Sequence, residues 1–98
     1  MSEALIATRM REIFGKDGWC QYPGDPWRGP ACIAYAFFRA VSPEKFLTNL
    51  EQEQIYDLLD WIIGGCTPVW NDASGRTFSD ILKIVDEIGR MEIAGELG

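Results

Sequence analysis

From Ala31 to Val41 the chain reads Ala-Cys-Ile-Ala-Tyr-Ala-Phe-Phe-Arg-Ala-Val, and Arg39 is its only charge. A helix apolar on nearly every side is stable only in the middle of a domain. Pro30 suits the first turn of such a helix, and its alanines let neighbouring helices approach closely. In 98 residues there is room for one layer of structure around it, so residues 1–98 form a single domain. A folded chain of this mass keeps roughly 5,700 Å² of accessible surface and buries about 65% of what it exposes unfolded. That is one core and little more, so a partner or a dimer interface would add stability.

The flanks supply the helices that cover the central one. Leu5, Ile6, Met10, Ile13 and Phe14 repeat at helical spacing and predict a first helix over Ser2–Phe14, with Ser2 as N-cap and Gly15 just past its end. Ser42-Pro43 opens a short helical turn through Phe46 and Leu47. Thr48 and Glu51 make a capping box for a helix over Asn49–Ile63, ended by Gly64-Gly65. Its core stripe is Leu50, Ile55, Leu58, Leu59, Ile62 and Ile63. Thr77 and Asp80 repeat the capping signal before a last helix over Phe78–Met91, with Phe78, Ile81, Leu82, Val85 and Ile88 on its buried side. Residues 92–98 read as a fraying tail. The expected fold is all-α: a small bundle of four main helices plus a short one, with two long aromatic loops.

The loops run from Lys16 to Pro30 and from Cys66 to Arg76. Gly18, Pro23, Gly24, Pro26, Gly29 and Pro30 exclude a regular element from the first. It nevertheless holds Trp19, Tyr22 and Trp27, too many aromatic rings for a linker, so it packs back on the domain. In the second loop Val69-Trp70 is briefly extended and Asn71-Asp72 is turn chemistry.

Charge and composition exclude several functions. Residues 1–49 hold six basic and five acidic groups, and residues 50–98 three basic and ten acidic, within a net charge of −6. The acidic half repels phosphate backbones, so no nucleic-acid partner is expected. It suits solubility or the steering of a basic protein. No apolar run approaches the length of about 18 residues needed to span a bilayer, and the N-terminus lacks the pattern of a secretory signal, so no membrane partner is expected and the location is cytoplasmic. There is no histidine, so neither a Ser-His-Asp triad nor a Cys-His dyad can form within the chain.

What remains for chemistry is small. Three cysteines, with no close Cys-x-x-Cys pair, fall short of a Cys₄ zinc site, and no metal is expected. Cys32, in the first turn of the central helix, is the best-placed thiol, because a helix N-terminus lowers a thiol pKa. A small buried hydrophobe is the plainer reading of it. A Cys20–Cys32 disulfide would close a loop of about a dozen residues, against the reducing conditions of the cytoplasm. Trp70-Asn71-Asp72 with Arg76 can grip a planar or anionic ligand through ring face, turn amides and guanidinium fork. The same residues can equally hold core, turn and ion pair. Carboxylate pairs such as Asp57/Asp60 and Asp86/Glu87 read as solvated helix faces rather than acid–base machinery.

Gly18-Trp19-Cys20-Gln21 after a first helix, Cys32 opening an Ala-rich helix, and Trp70-Asn71-Asp72 with Arg76-Thr77 before the last helix together resemble a family of small proteins of unknown function. That family occurs in bacterial genomes and their phages, and the resemblance spans roughly residues 3–90. It implies a chain borne by a phage or prophage, and it implies no activity, cofactor or catalytic residue. The combined expectation is a non-catalytic protein-interaction module, with a protein partner or a homodimer and no cofactor. The alternatives are a small-ligand binder for a nucleotide-like molecule and a cysteine-dependent enzyme using Cys32 or Cys20. Candidate contact residues are Trp19, Cys20, Trp27, Cys32, Trp70, Asn71, Asp72 and Arg76.

Overall fold

The computed structural model describes residues 4–22, 25–43 and 46–97. Five helices account for most of them: α1 Leu5–Asp17, α2 Ile33–Val41, α3 Asn49–Ile63, α4 Thr67–Asp72 and α5 Phe78–Ile93. The domain is all-α. α1 packs against both α2 and α5, while α3 lies against α2, α4 and α5. The accessible surface is 5831 Å², close to what a compact chain of this mass keeps.

α2 is the central element. Ile33, Ala34, Ala36, Phe37, Phe38, Arg39 and Ala40 are all buried. It begins at Ile33 rather than Ala31, and Cys32 is its N-cap instead of a first-turn residue. The reason is local pairing. The Ala31 N–H donates to the Gly18 carbonyl at 2.9 Å, and the Cys20 N–H donates to the Ala31 carbonyl at 3.1 Å. This parallel bridge between Trp19 and Ala31 draws Ala31 out into extended backbone. At the other end Arg9 of α1 donates to the Ala40 carbonyl, satisfying a helix-end acceptor.

α1 continues through Gly15 to Asp17. Gly18, at φ 85°, ends it, with its N–H on the Phe14 carbonyl at 2.9 Å. The sequence predicts the stop at Gly15, but Gly18 is the residue whose backbone leaves the helix, with a positive φ and an extended ψ of 169° that only glycine adopts readily. Ser2, the expected N-cap, lies outside the described residues. The start of α1 is held from a distance: Glu92 Oε2 accepts from the Ile6 N–H and Oε1 from the Ala7 N–H, both at 2.8 Å. α5 therefore runs past Met91 to Ile93, carrying Glu92 in its last turn. α1 and α5 approach closely at Gly89, where an added Cβ would stand 3.1 Å from that of Ala7.

Both capping boxes form as the sequence predicts, Thr48 with Glu51 and Thr77 with Asp80. The short helix does not form where it was expected. Ser42 ends α2, Phe46 and Leu47 are not helical, and Glu44 and Lys45 lie outside the described residues. It forms at Thr67–Asp72, inside the segment read as a loop with Val69-Trp70 extended. Pro68 needs no N–H partner in a first turn. Asp60, at the end of α3, accepts from the Thr67 N–H at 2.7 Å and also from its hydroxyl, so α4 is capped by the helix before it.

Burial of the two long helices differs. On α5, Ile81, Val85 and Ile88 are buried as expected, joined by Gly89 and Met91. Phe78 is partly exposed, with its ring edge-on to Phe14 and stacked near Trp19. On α3 only Leu59 is fully buried. Ile55, Leu58, Ile62 and Ile63 are half-buried, and Leu50, expected in the core, is 63% exposed.

Candidate functional site

Asn71 is the hub on which the two loop segments meet. It is 1% exposed. Its Oδ1 accepts from the Trp19 indole N–H and from the Ile33 N–H at the start of α2, both at 3.0 Å. Its Nδ2 donates to the Cys20 carbonyl at 3.1 Å and to Asp72 Oδ1 at 2.9 Å. Two donors and two acceptor positions are the whole capacity of an amide side chain, and all are used. Gln21 adds a further tie, from Nε2 to the Ala73 carbonyl at 2.9 Å. Trp19, Cys20, Asn71 and Asp72, far apart in sequence, are thus brought together at the N-terminal end of α2.

Trp70 and Arg76 flank this hub. The Arg76 guanidinium lies over the Trp70 ring, 4.1 Å from its centroid. Its Nε donates to the Trp70 carbonyl at 2.8 Å, and Nη1 is 3.8 Å from Asp80. The Trp70 ring covers one face of the guanidinium and the Trp70 carbonyl takes its Nε donor, so both are held within the chain. Trp27 is elsewhere. It packs edge-on against Phe46, centroids 5.2 Å apart, beyond the C-terminal end of α2.

The three cysteines are free thiols. Cys32 is 7% exposed, and burial pushes its thiol above the ordinary range. The backbone amides of Tyr35 and Ala34 pull the other way, and nearby Cys20 and Asp72 add to the rise. The helix N-terminus does act on this thiol as expected, but desolvation outweighs it and the group stays protonated near neutral pH. Cys32, Tyr56, Thr67, Pro68, Asn71 and Asp72 line a cavity of about 60 Å³. Sites for drug-sized ligands run from roughly 300 to 1,000 Å³. Among the described residues no cluster of three or more Cys, Asp or Glu is arranged to hold a metal ion, and no helix is long and apolar enough to cross a membrane.

Sequence reasoning passed over two residues. Arg39 is 6% exposed, and all five of its N–H donors are engaged. Nε meets the Pro26 carbonyl, Nη1 the Gly29 carbonyl and Asp17, and Nη2 the Asp25 and Arg28 carbonyls, at 2.7 to 3.2 Å. The first loop is folded around this one guanidinium. A single charge inside an otherwise apolar helix was the available signal.

The other is Trp61, 70% exposed on α3. Leu50, Gln54, Asp57 and Trp61 recur at spacings of four, three and four, which is one side of a helix. Leu59 lies on the opposite side, in the core. Beside this outer strip, Val41, Leu47, Ile55 and Leu58 line an open cleft of about 470 Å³ between the end of α2 and the first turns of α3.

Residues 2–90 match the family of unknown function DUF6197, and the chain belongs to that family. No curated protein and no solved structure is detectably similar to it.

Proposed function

We propose that this member of a family of unknown function is a non-catalytic protein-interaction module, and that its contact surface is the outer side of α3. One observation carries the reading: Leu50 and Trp61 stand exposed on the same side of α3, away from the core. Large aromatic anchors are what binding surfaces concentrate, and here two large apolar side chains stand at the ends of one strip, with Gln54 and Asp57 between them. The cleft lined by Ile55 and Leu58 supplies the adjoining pocket.

The geometry of the other candidates supports the same choice. Asn71 spends its whole hydrogen-bonding capacity on the chain itself, and Arg76 is held within the chain by one hydrogen bond, a ring contact and an ion pair, which suits a structural weld better than a ligand site. The cavity beside Cys32 is several-fold too small for a nucleotide-like molecule. A buried, protonated Cys32 is a poor nucleophile.

The test is quantitative co-purification from the producing cells. Wild-type chain and the double variant Leu50→Glu/Trp61→Glu are compared, with matching circular dichroism as the check on folding. The expected result is a defined protein retained at stoichiometric level by wild type and lost by the variant. Identical retention by both, or a wild-type protomer carrying only a small molecule in its native mass spectrum, would overturn the reading.

A further inference from the structure

We infer that the partner of the outer face of α3 is a basic amphipathic helix, laid along α3 with a cation facing Asp57. This rests on the interaction reading above and names the chemistry of its partner.

The shape of the face comes first. Leu50 and Trp61 are eleven residues apart in sequence, about 16 Å along a helix axis. Leu58 and Ile55 fall on the adjoining flank and open into the cleft. An amphipathic helix presents apolar anchors at i, i+3 or i+4 and i+7 over that length, the arrangement that fills a groove beside another helix. A compact ligand would meet one anchor and leave the other wet.

Charge then selects among helices. α3 contains Glu51, Glu53, Asp57 and Asp60 and no Lys or Arg. Glu53 and Asp57 are exposed. Asp57 lies inside the strip itself, between Leu50 and Trp61. A purely apolar partner would cover that carboxylate and leave it unpaired, which is expensive. A Lys or Arg on the partner, opposite Asp57, removes that cost and leaves both anchors to be buried. Glu53 on the flank adds attraction and speeds encounter.

The same carboxylates disfavour the other occupants. In a symmetric dimer through this face each residue meets its counterpart or a near neighbour, so two acidic α3 helices would be pressed together with no base between them. Nucleic acid and anionic lipid carry the wrong sign.

The experiment is calorimetric titration of the full chain with two synthetic peptides of about fourteen residues, sharing one amphipathic leucine pattern. One has lysine at its polar positions and the other glutamate. The lysine peptide should bind one to one. Its affinity should fall at least about tenfold with Glu53→Lys/Asp57→Lys and with Leu50→Ala/Trp61→Ala, and less than about twofold with Glu12→Lys, a matched charge change on α1. The glutamate peptide should bind only to the Glu53→Lys/Asp57→Lys variant. Equal binding of both peptides, equal weakening by Glu12→Lys, or a wild-type dimer in sedimentation that Leu50→Glu dissociates would each overturn the inference. If the peptides fail while a cellular partner is still lost by Leu50→Glu/Trp61→Glu, the partner's chemistry is wrong and the interaction reading stands. If that partner is also insensitive, both fall.

Discussion

The indole N–H of Trp19 donates to Asn71 Oδ1 at 3.0 Å, closing a contact between residues 52 positions apart. The same oxygen accepts from the first amide of α2, and the amide nitrogen of Asn71 reaches back to the Cys20 carbonyl. One side chain thereby fixes the first loop, the entry of the central helix and the end of α4. The cluster that looks most like a ligand grip in the sequence is, in its geometry, a joint.

Replacing Asn71 tests that joint. Asn71→Ala leaves the Trp19 indole N–H, the Ile33 N–H and the Cys20 carbonyl without their partner. A buried donor or acceptor left unmatched costs about 1–3 kcal/mol, so a loss of about 3 kcal/mol or more is expected in urea unfolding. Asn71→Asp keeps the shape but turns the donating amide into an oxygen facing the Cys20 carbonyl and Asp72. It should be destabilised at neutral pH and regain part of the loss on acidification, as the new carboxyl takes up a proton. An Asn71→Ala curve superimposable on wild type would show that the joint contributes nothing.

Arg39 gives the corresponding test for the first loop. Its planar fork meets four backbone carbonyls and Asp17 at once, which the single ammonium of lysine cannot do. Arg39→Lys should cost about 3 kcal/mol by leaving buried acceptors unmatched. Amide hydrogen exchange should accelerate over residues 25–30 before it does so in α5. Exchange rates in that loop equal to wild type would mean that the loop holds its shape without the guanidinium.

The local features of this fold were legible in the sequence and the long-range ones were not. Thr48 with Glu51 and Thr77 with Asp80 form their boxes because cap and partner are three residues apart. α2 is central because its composition leaves it no other place. By contrast α4 owes its first turn to Asp60, seven residues before, and α1 owes its start to Glu92, 85 residues away. The Glu92 pairing lies outside any sequence window, and the Asp60 pairing, though near in sequence, depends on the left-handed turn at Gly64 that brings Thr67 back to the end of α3. The sequence singled out Trp19, Cys20, Asn71 and Asp72, and the fold joins them, but the spacing cannot say that their polar atoms are spent on one another. Trp61 escaped notice for a different reason. α3 is apolar over more than one side, and only the packing of Leu59 decides which side is left outside.

Glu92 should be replaceable only at a cost to α1. Its two oxygens take two amides of the first turn, where negative charge also suits the helix dipole. Glu92→Gln retains one acceptor oxygen and no charge, and a loss of about 1 kcal/mol is expected; Glu92→Ala should cost about 2 kcal/mol. The readout is thermal unfolding, with exchange at Thr8 and Arg9 reporting whether α1 frays first. Equal melting temperatures for wild type and Glu92→Ala would exclude a role for this cap.

Tyr56 predicts how the domain fails in alkali. Its ring packs edge-on against Phe38, and burial, with negative charge on neighbouring Cys32, Tyr35, Asp60 and Cys66 adding to it, raises its hydroxyl from 10.0 to about 12. Between those values the unfolded chain has released the proton and the folded chain retains it. The folded state then binds more protons than the unfolded one, so stability falls as pH rises through that window. Tyr56→Phe removes the titrating group and keeps the ring. It should flatten the decline in stability between about pH 10 and 12, while changing little near neutrality. The check is urea unfolding of both proteins in steps across that range, with Tyr56 ionisation followed by its ultraviolet absorbance. Parallel declines in the two proteins would assign the alkaline sensitivity to other groups, Cys32 and Tyr35 being the next candidates because burial raises both.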